Sequence, residues 1–153
     1  MSALQPLLAL LALAEGERDT SLAACRRAAK VAEDAAGQSD QLVTYRSEYQ
    51  QRWTGQFRTE GQMPLVHCYQ GFMTRLGQAV SHQDLVLRRA AEQLAAAEQV
   101  LRQHELRVAS VRKLIDRRQI ELRLSADRRD QKATDEFAAR AASRLSGFNN
   151  AMQ

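Results

Sequence analysis

The second half of the chain carries an unbroken heptad of apolar residues. Every seventh position from 66 to 122 is occupied by an aliphatic side chain or methionine: Val66, Met73, Val80, Leu87, Leu94, Leu101, Val108, Ile115 and Leu122. The positions three residues later are apolar up to Val111, apart from Gln83 and His104, and polar after it. A sustained seven-residue repeat of this kind predicts a left-handed coiled coil.

The composition extends this interpretation to the whole chain. Only 7 of the 153 residues are glycine, 2 are proline and 5% are aromatic. Alanine, leucine, glutamine, glutamate and arginine dominate, as they do in long helices. The net charge of +4 combines 22 basic with 18 acidic residues. Because acidic residues flank the arginine pairs at 88–89, 117–118 and 128–129, these pairs indicate a solvated helix surface and argue against a nucleic-acid site.

We therefore predict an all-α fold, an antiparallel two-helix coiled-coil hairpin whose second helix is longer and overhangs the N-terminus. The chain is predicted to form a single domain over residues 1–153. Helix 1 is expected at about 6–54, the turn at about 55–63, helix 2 at about 64–146 and a frayed tail at 147–153. Pro6 and Pro64 suit first helical turns, and Gly147 is expected to stop helix 2.

On helix 1, steps of 3.5 residues from Leu4 select the side that would face helix 2. The apolar members of this set are Leu4, Leu8, Leu11, Leu22, Cys25, Ala29, Ala32, Ala36, Val43 and Trp53, and the polar members are Glu15, Arg18, Ser39, Arg46 and Gln50. With the turn near residue 59, facing residues have numbers that sum to about 118. Alanine-rich faces then oppose each other, which predicts a thin and easily opened middle section.

The unequal lengths of the helices predict a partner for the terminal end. Helix 1 ends opposite about residue 115, so the residues after Arg118 have no partner within the chain. An isolated helix is only marginally stable in water, and Leu122, Leu124 and Phe137 would remain uncovered. We expect this overhang to bind another molecule.

Aromatic residues concentrate around the predicted turn. Tyr45, Tyr49, Trp53 and Phe57 follow each other at four-residue steps, and the register places Tyr69, Phe72 and Leu76 opposite them. Such a stripe is typical of a packed cap that fastens the two helices, but tyrosines can also form a contact surface for a partner. The sequence leaves both interpretations open.

No pattern in the chain indicates catalysis. The three histidines, His67, His82 and His104, lack a repeated ligand spacing, and phosphate-binding and nucleophile motifs are absent from the sequence. We expect no enzymatic activity, metal, cofactor or small-molecule ligand. The register separates Cys25 from Cys68 too far for a disulfide. Residues 4–14 are apolar but lack the preceding basic segment of a signal peptide, so we expect a cytoplasmic protein.

Three segments resemble the family of FliJ proteins of the bacterial flagellar type III export apparatus. They are residues 42–49 (LVTYRSEY), 69–79 (YQGFMTRLGQA) and 129–142 (RDQKATDEFAARAA), of which the last is the most specific. Their order and spacing agree with the family over essentially the whole chain. The resemblance implies a two-helix coiled coil similar to the central stalk of rotary ATPases. It also implies that the terminal end inserts into the hexamer of the export ATPase and promotes its assembly and activity.

The resemblance further implies a contact with the cytoplasmic linker of the membrane export gate protein, and escort of export chaperones. The residues that match the family's gate-contact patch are Gln38, Leu42, Tyr45, Tyr49, Phe72, Leu76 and Ala79. The family's patch usually continues to a histidine at the position of Gln83, whereas His82 precedes it here. At the terminal end, the expected contacts with the ATPase ring are Leu4, Leu8, Leu11, Leu122, Arg128, Arg129, Gln131, Lys132, Asp135, Glu136, Phe137 and Arg140.

These implications predict a non-enzymatic protein that is cytoplasmic and peripherally associated with the inner membrane at the flagellar base. Two alternatives stay open at this point, the stalk of a related virulence-type secretion system and a generic coiled-coil scaffold or adaptor. A helical nucleic-acid-binding protein is a weaker third class. Weak self-association of the isolated chain through its uncovered overhang also stays open.

Overall fold

The computed structural model of the chain describes residues 3–59 and 62–153. Two long α-helices, α1 (Gln5–Thr59) and α2 (Met63–Ala151), account for nearly all of these residues, and no strand occurs among them. The helices pack against each other in opposite directions, so that later residues of α2 contact earlier residues of α1. The contacts Tyr69 with Trp53, Gln83 with Ala35 and His104 with Glu17 show this order. The predicted all-α helical hairpin is confirmed.

The contacts divide the chain into two compact units. The first combines Met1–Glu15 with Leu106–Gln153, and the second is Gly16–Glu105. Each unit pairs a section of α1 with a section of α2. The treatment of the whole chain as one coiled-coil domain stays a prediction.

Both helices extend beyond the ends expected from the sequence. We placed the end of helix 1 near residue 54 and that of helix 2 near residue 146, but α1 continues to Thr59 and α2 to Ala151. Gly55 and Gly147 were expected to begin the turn and to stop helix 2, yet both are helical, and no described glycine has a positive φ. A helical glycine costs only about 1 kcal/mol relative to alanine. Of the predicted turn, Glu60 and Gly61 lie outside the described residues.

The two prolines lie where a helix tolerates them. Pro6 and Pro64 are the second residues of α1 and α2. The first N–H groups of a helix have no intrahelical acceptor, so a proline there removes no hydrogen bond. The α-helical bonding begins immediately afterwards, from Leu8 N to Leu4 O at 2.9 Å and from Val66 N to Gln62 O at 3.2 Å.

The heptad of α2 forms its side of the core. All heptad residues from Val66 to Ile115, and the companion positions from Tyr69 to Val111, are buried or half-buried. The most buried of these are Leu76, Ala90, Val108, Val111 and Ile115. Leu122 is the first heptad residue classed as exposed, at 38%. The predicted coiled-coil register of α2 is therefore confirmed as far as Ile115.

On α1, half of the expected core positions are shifted by one residue. One series of α1 positions at seven-residue steps is half-buried throughout, as expected: Leu4, Leu11, Arg18, Cys25, Ala32, Ser39, Arg46 and Trp53. Its companions are Leu7, Ala14, Ser21, Ala28, Ala35, Leu42 and Tyr49, all buried or half-buried. The sequence predicted that the residue after each of these companions would face helix 2. Of that expected set, Leu8, Ala29, Val43 and Gln50 are exposed, and Glu15, Leu22 and Ala36 are half-buried. A spacing of three or of four residues fits helical periodicity about equally well, and only packing against α2 selects three.

The core of the Gly16–Glu105 unit is thin, because its best-buried residues are small. Ala35 and Ala90 are each 4% exposed, and Leu76 is the one large side chain of this unit that is buried to a similar degree. No side chain among the described residues is more than 98% buried. Alanine contributes little apolar area, so burial stabilises this section weakly. Gln83 lies opposite Ala35, at the register expected from the sequence.

Candidate functional site

Six aromatic side chains form a continuous cluster in the Gly16–Glu105 unit. On α1, the rings of Tyr45, Tyr49, Trp53 and Phe57 follow each other with centroids 5.3 to 5.8 Å apart. On α2, Phe72 lies 4.3 Å from Tyr49, and Tyr69 lies 5.7 Å from Trp53 and 5.2 Å from Phe57. Ring pairs at these distances stabilise by about 0.5–1.5 kcal/mol beyond their burial. The cluster therefore fastens the two helices near their junction.

Exposure separates one ring of this cluster from the others. Tyr49, Trp53, Phe57, Tyr69 and Phe72 are half-buried. Tyr45 contacts Tyr49 and the edge of Phe72, but it is 48% exposed. Five rings thus pack between the helices, as expected for a cap, whereas Tyr45 offers a ring to solvent. A contact between Tyr45 and a partner stays a prediction.

Tyr45 belongs to a shallow, largely apolar groove without charged groups, which we call the tyrosine surface. Its lining residues are Gln38, Gln41, Leu42, Tyr45 and Gln83. Four of these were candidates from the sequence, and Gln41 was missed. Gln41 lies four residues before Tyr45, a spacing that places both on one side of the helix.

The remaining residues of the predicted gate-contact patch have different positions. Ala79 and His82 are exposed, whereas Leu76 is only 7% exposed and packs in the core. Gln83 is partly buried, and its side-chain amide donates to Ala35 O at 3.1 Å and to Gln38 Oε1 at 3.2 Å. The structure therefore brings Gln38 and Gln83 together and places Leu76 beneath the surface.

Apolar residues continue at two heptad positions of the predicted gate-contact patch. Val31 precedes Gln38 by seven residues and is 54% exposed, and Val86 follows Ala79 by seven residues and is half-buried. Neither residue was a candidate from the sequence. Their heptad spacing from Tyr45 and Phe72 is the signal that could have found them.

The other unit contains the N-terminal section of α1 packed on α2. Ala14, Val108, Val111 and Ile115 are buried. Leu4 and Leu11 are half-buried, whereas Leu8 is exposed. An ion pair between Glu15 Oε1 and Arg112 Nη2, at 3.1 Å, joins the two helices at this section. Of the three predicted N-terminal contact leucines, Leu8 is thus the most exposed, at 44%.

Beyond Ile115, α2 continues as a helix that is largely exposed to solvent. From residue 116 to 151 no residue is buried, and only Ala126 is half-buried. Leu124, Phe137, Leu145 and Phe148 are more than half exposed, with Phe137 the highest of these at 74%. This terminal helix has the exposure expected for the predicted overhang, and its apolar side chains are available to a partner.

The predicted ring-contact residues occupy more than one face of the terminal helix. Arg128, Gln131, Lys132, Asp135 and Glu136 share one face with Ala139, where Gln131 Nε2 donates to Asp135 Oδ1 at 3.1 Å. At about 100° per residue, Phe137 points away from this face. Within residues 116–151, the one ion pair recorded is Arg118 with Glu121, at 3.3 Å. Charged groups thus surround the helix and are available for contacts on several sides.

The potential metal-ligating and thiol side chains of the described residues lie apart from one another. Histidine, cysteine and carboxylate side chains do not cluster into a metal-binding group anywhere within 3–59 and 62–153. Cys25 is half-buried and Cys68 is exposed, and both are free thiols. None of the helical stretches described is both long and apolar enough to cross a bilayer. Two surfaces stand as the candidate sites, the tyrosine surface and the terminal helix.

Comparison with known proteins adds one match. A family model described as flagellar FliJ protein matches residues 2–146. No curated protein and no solved structure matches the chain.

Proposed function

Because this chain belongs to the family of flagellar FliJ proteins, and is thus a component of the flagellar export apparatus, we propose that it acts there as a stalk. Its terminal end inserts into the ring of the export ATPase and promotes assembly and activity of the ring. Its tyrosine surface contacts the cytoplasmic linker of the membrane export gate. The role is mechanical and allosteric, without catalytic chemistry of its own.

The observation that carries this proposal is the uncovered terminal helix. Most of the stability of a helix in a protein comes from packing of its apolar face, and this segment has little such packing within the chain. Its exposed Leu122, Leu124 and Phe137 gain free energy when a partner covers them, at roughly 25 cal/mol for each Å² of apolar surface removed from water. Insertion into a ring supplies such cover on every side of the helix.

The distribution of charge on the terminal helix fits a ring better than a single flat partner. Arg128, Lys132 and Asp135 lie on one face, and Arg129 and Arg140 lie on another. A ring of subunits presents surface to all faces of an enclosed helix, so each charge can meet a partner. The N-terminal section of α1 packs on α2 in the same unit. We assign its residues Leu4, Leu8 and Leu11 to the base of this contact.

The gate contact is assigned to the tyrosine surface because it combines a half-exposed ring with uncharged amides. Tyr45 supplies apolar area and a hydroxyl, and Gln38 and Gln41 supply hydrogen-bonding groups without a desolvated charge. This chemistry suits an extended or helical peptide segment such as a linker. Tyr49 and Phe72 hold Tyr45 in place, and Leu76 supports the surface from the core. Ala79 and His82 extend the contact along α2.

This role places the protein in the cytoplasm, bound peripherally to the inner membrane at the flagellar base. Export chaperones are assigned as further partners that the protein escorts to the gate. The two proposed contacts lie in different units of the chain. Each can therefore be altered without changing residues of the other.

The test measures the ATP hydrolysis rate of the cognate export ATPase with the full chain and with a truncation that ends at Arg118. We expect stimulation by the full chain and its loss on truncation. The matched control is Tyr45→Ala, which leaves the terminal helix intact and is expected to stimulate normally while binding the gate linker more weakly. Absence of stimulation by the full chain, with the fold verified by circular dichroism, would reject the stalk and favour an adaptor.

A further inference from the structure

The terminal helix carries a second apolar pattern that differs from the heptad of α2. From residue 122 onward, one face repeats at steps of four, four and three residues, a spacing of eleven residues in three turns. Its members, which we call the terminal stripe, are Leu122, Ala126, Asp130, Ala133, Phe137, Ala141, Arg144, Phe148 and Met152. An eleven-residue repeat gives 3.67 residues per turn, close to the period of a straight α-helix. The stripe therefore stays on one side of the helix.

The terminal stripe is exposed along its length. Phe137, Phe148 and Met152 are each more than 60% exposed, and Ala126 is the one member that is half-buried. Among the described residues, neither the Asp130 carboxylate nor the Arg144 guanidinium forms an ion pair. Seven apolar side chains and two opposite charges thus share one open face.

The stripe is symmetric about Phe137 in a way that makes it complementary to itself. Positions equally far from Phe137 pair Leu122 with Met152, Ala126 with Phe148, and Ala133 with Ala141. A small residue therefore stands opposite the large Phe148. The two charged members, Asp130 and Arg144, are also equally far from Phe137 and carry opposite signs.

We propose that the terminal stripe binds a second copy of this chain in an antiparallel arrangement. The two-fold axis passes between the Phe137 side chains of the two copies. The Asp130 carboxylate of each copy faces the Arg144 guanidinium of the other. The contact is isologous, as a closed two-fold dimer requires.

Charge selects the antiparallel direction over the parallel one. In a parallel pair in register, Asp130 would face Asp130 and Arg144 would face Arg144, and like charges across a helix pair are destabilising. The antiparallel pair forms two ion pairs instead. This charge complementarity also favours a second copy as the occupant, because an unrelated apolar helix would leave the two charged members unmatched.

The area of the stripe fits a weak dimer. Residues 122–152 span roughly 45 Å of helix at 1.5 Å per residue. Phenylalanine side chains bury about 150–250 Å² each, and four of them meet in the dimer. With Leu122 and Met152 the contact reaches the roughly 1,000 Å² that a specific interface needs. Alanine fills the other positions, so the dimer is expected to dissociate on dilution.

The proposed dimer is argued from the stripe alone and does not rest on the proposed function. The dimer nevertheless has a consequence for the proposed stalk function, since Phe137 is assigned to the ATPase ring. One copy of the terminal helix cannot hold Phe137 against a second chain and against the ring at once. Self-association would therefore keep the terminal helix covered until the ring displaces the second copy.

Sedimentation velocity of the full chain tests the dimer, with a charge-swap series. We expect a reversible monomer–dimer equilibrium for the unmodified chain. Asp130→Arg or Arg144→Asp alone places like charges together and should shift the midpoint of dimerisation at least tenfold upward in concentration. The double variant should restore it. An equimolar mixture of the two single variants should also dimerise, because both ion pairs re-form in the mixed dimer.

Asp116→Arg and Arg117→Asp serve as matched controls, since they make the same charge changes outside the stripe. These controls should dimerise like the unmodified chain, and circular dichroism verifies helix content for every variant. A monomer at all concentrations would overturn the proposal. So would single variants that dimerise normally, or a mixture that fails to recover. None of these measurements involves the ATPase, so this test can fail while the stalk function stands.

Discussion

The side-chain amide of Gln83 donates a hydrogen bond to the backbone carbonyl oxygen of Ala35 at 3.1 Å, from α2 to α1. The same amide lies 3.2 Å from Gln38 Oε1. A single polar residue at a core position of a coiled coil is a known means of fixing register. Because the surrounding core consists mainly of alanine, this bond contributes a directional contact where apolar packing is weak.

Gln83→Ala is therefore expected to lower the free energy of unfolding by about 1 kcal/mol, the usual net contribution of such hydrogen bonds. The measurement is thermal or urea unfolding followed by circular dichroism. Gln78→Ala, an exposed glutamine on the same helix, is the control and should change stability by less than about 0.5 kcal/mol. Equal effects of the two variants would show that the Gln83 contact does not stabilise the pair.

The buried core of α2 ends between Ile115 and Leu122, which are adjacent heptad positions. Alanine substitutions at these two positions should therefore change the free energy of unfolding by different amounts. Ile115→Ala should cost about 2 kcal/mol, because the side chain is buried and its removal leaves a cavity. Leu122→Ala should cost less than about 1 kcal/mol, since 38% of the residue is already exposed and alanine has a high helix propensity. Urea unfolding at low protein concentration measures both. A larger loss for Leu122→Ala would contradict this boundary.

The aromatic cluster predicts a contrast between Trp53 and Tyr45. Trp53 is half-buried and contacts Tyr49, Phe57 and Tyr69, so Trp53→Ala should lower the free energy of unfolding by about 2–3 kcal/mol. Tyr45→Ala should cost less than about 1 kcal/mol, because half of the ring is already in solvent. Circular dichroism measures both, and fluorescence of the single tryptophan reports on Tyr45→Ala. Comparable losses would mean that Tyr45 is a core residue.

Gly37 offers a stabilising substitution. The residue is helical with a negative φ, and a Cβ built on it meets no atom within 4 Å. Gly37→Ala should raise the free energy of unfolding by about 0.5–1 kcal/mol, because alanine loses less conformational freedom than glycine on helix formation. Thermal unfolding measures the effect. A lower melting temperature for the variant would show that α1 requires glycine at this position.

The uncovered terminal helix should be the first part of the chain to be cleaved by trypsin. Residues 116–151 lack tertiary cover, so local opening there costs little free energy. In dilute protein, brief digestion followed by mass spectrometry should find the first cuts between Arg117 and Arg144, before those at Arg26 and Arg27. First cuts within the Gly16–Glu105 unit would contradict this order of local stability.

The candidate sites were predictable to different degrees. The concentration of aromatic residues between Tyr45 and Phe72 was visible in the sequence, and so was the lack of an internal partner for Phe137. The heptad placed Leu76 in the core, and Tyr45 was outside the set expected to face helix 2. The sequence could not show how much of the Tyr45 ring reaches solvent, because that depends on how Tyr49 and Phe72 pack against it.

The sequence alone determined the fold class and the core face of α2, because an apolar period of seven residues is a property of one helix and needs no partner to be seen. Only the tertiary structure decided the companion positions of α1, where Ala28 and Ala35 are covered and Ala29 is exposed. Steps of three and of four residues are nearly equivalent on an isolated helix, and contact with α2 separates them. Packing likewise decided where the buried core ends, since Leu122 continues the heptad of Ile115 but is 38% exposed, against 7% for Ile115.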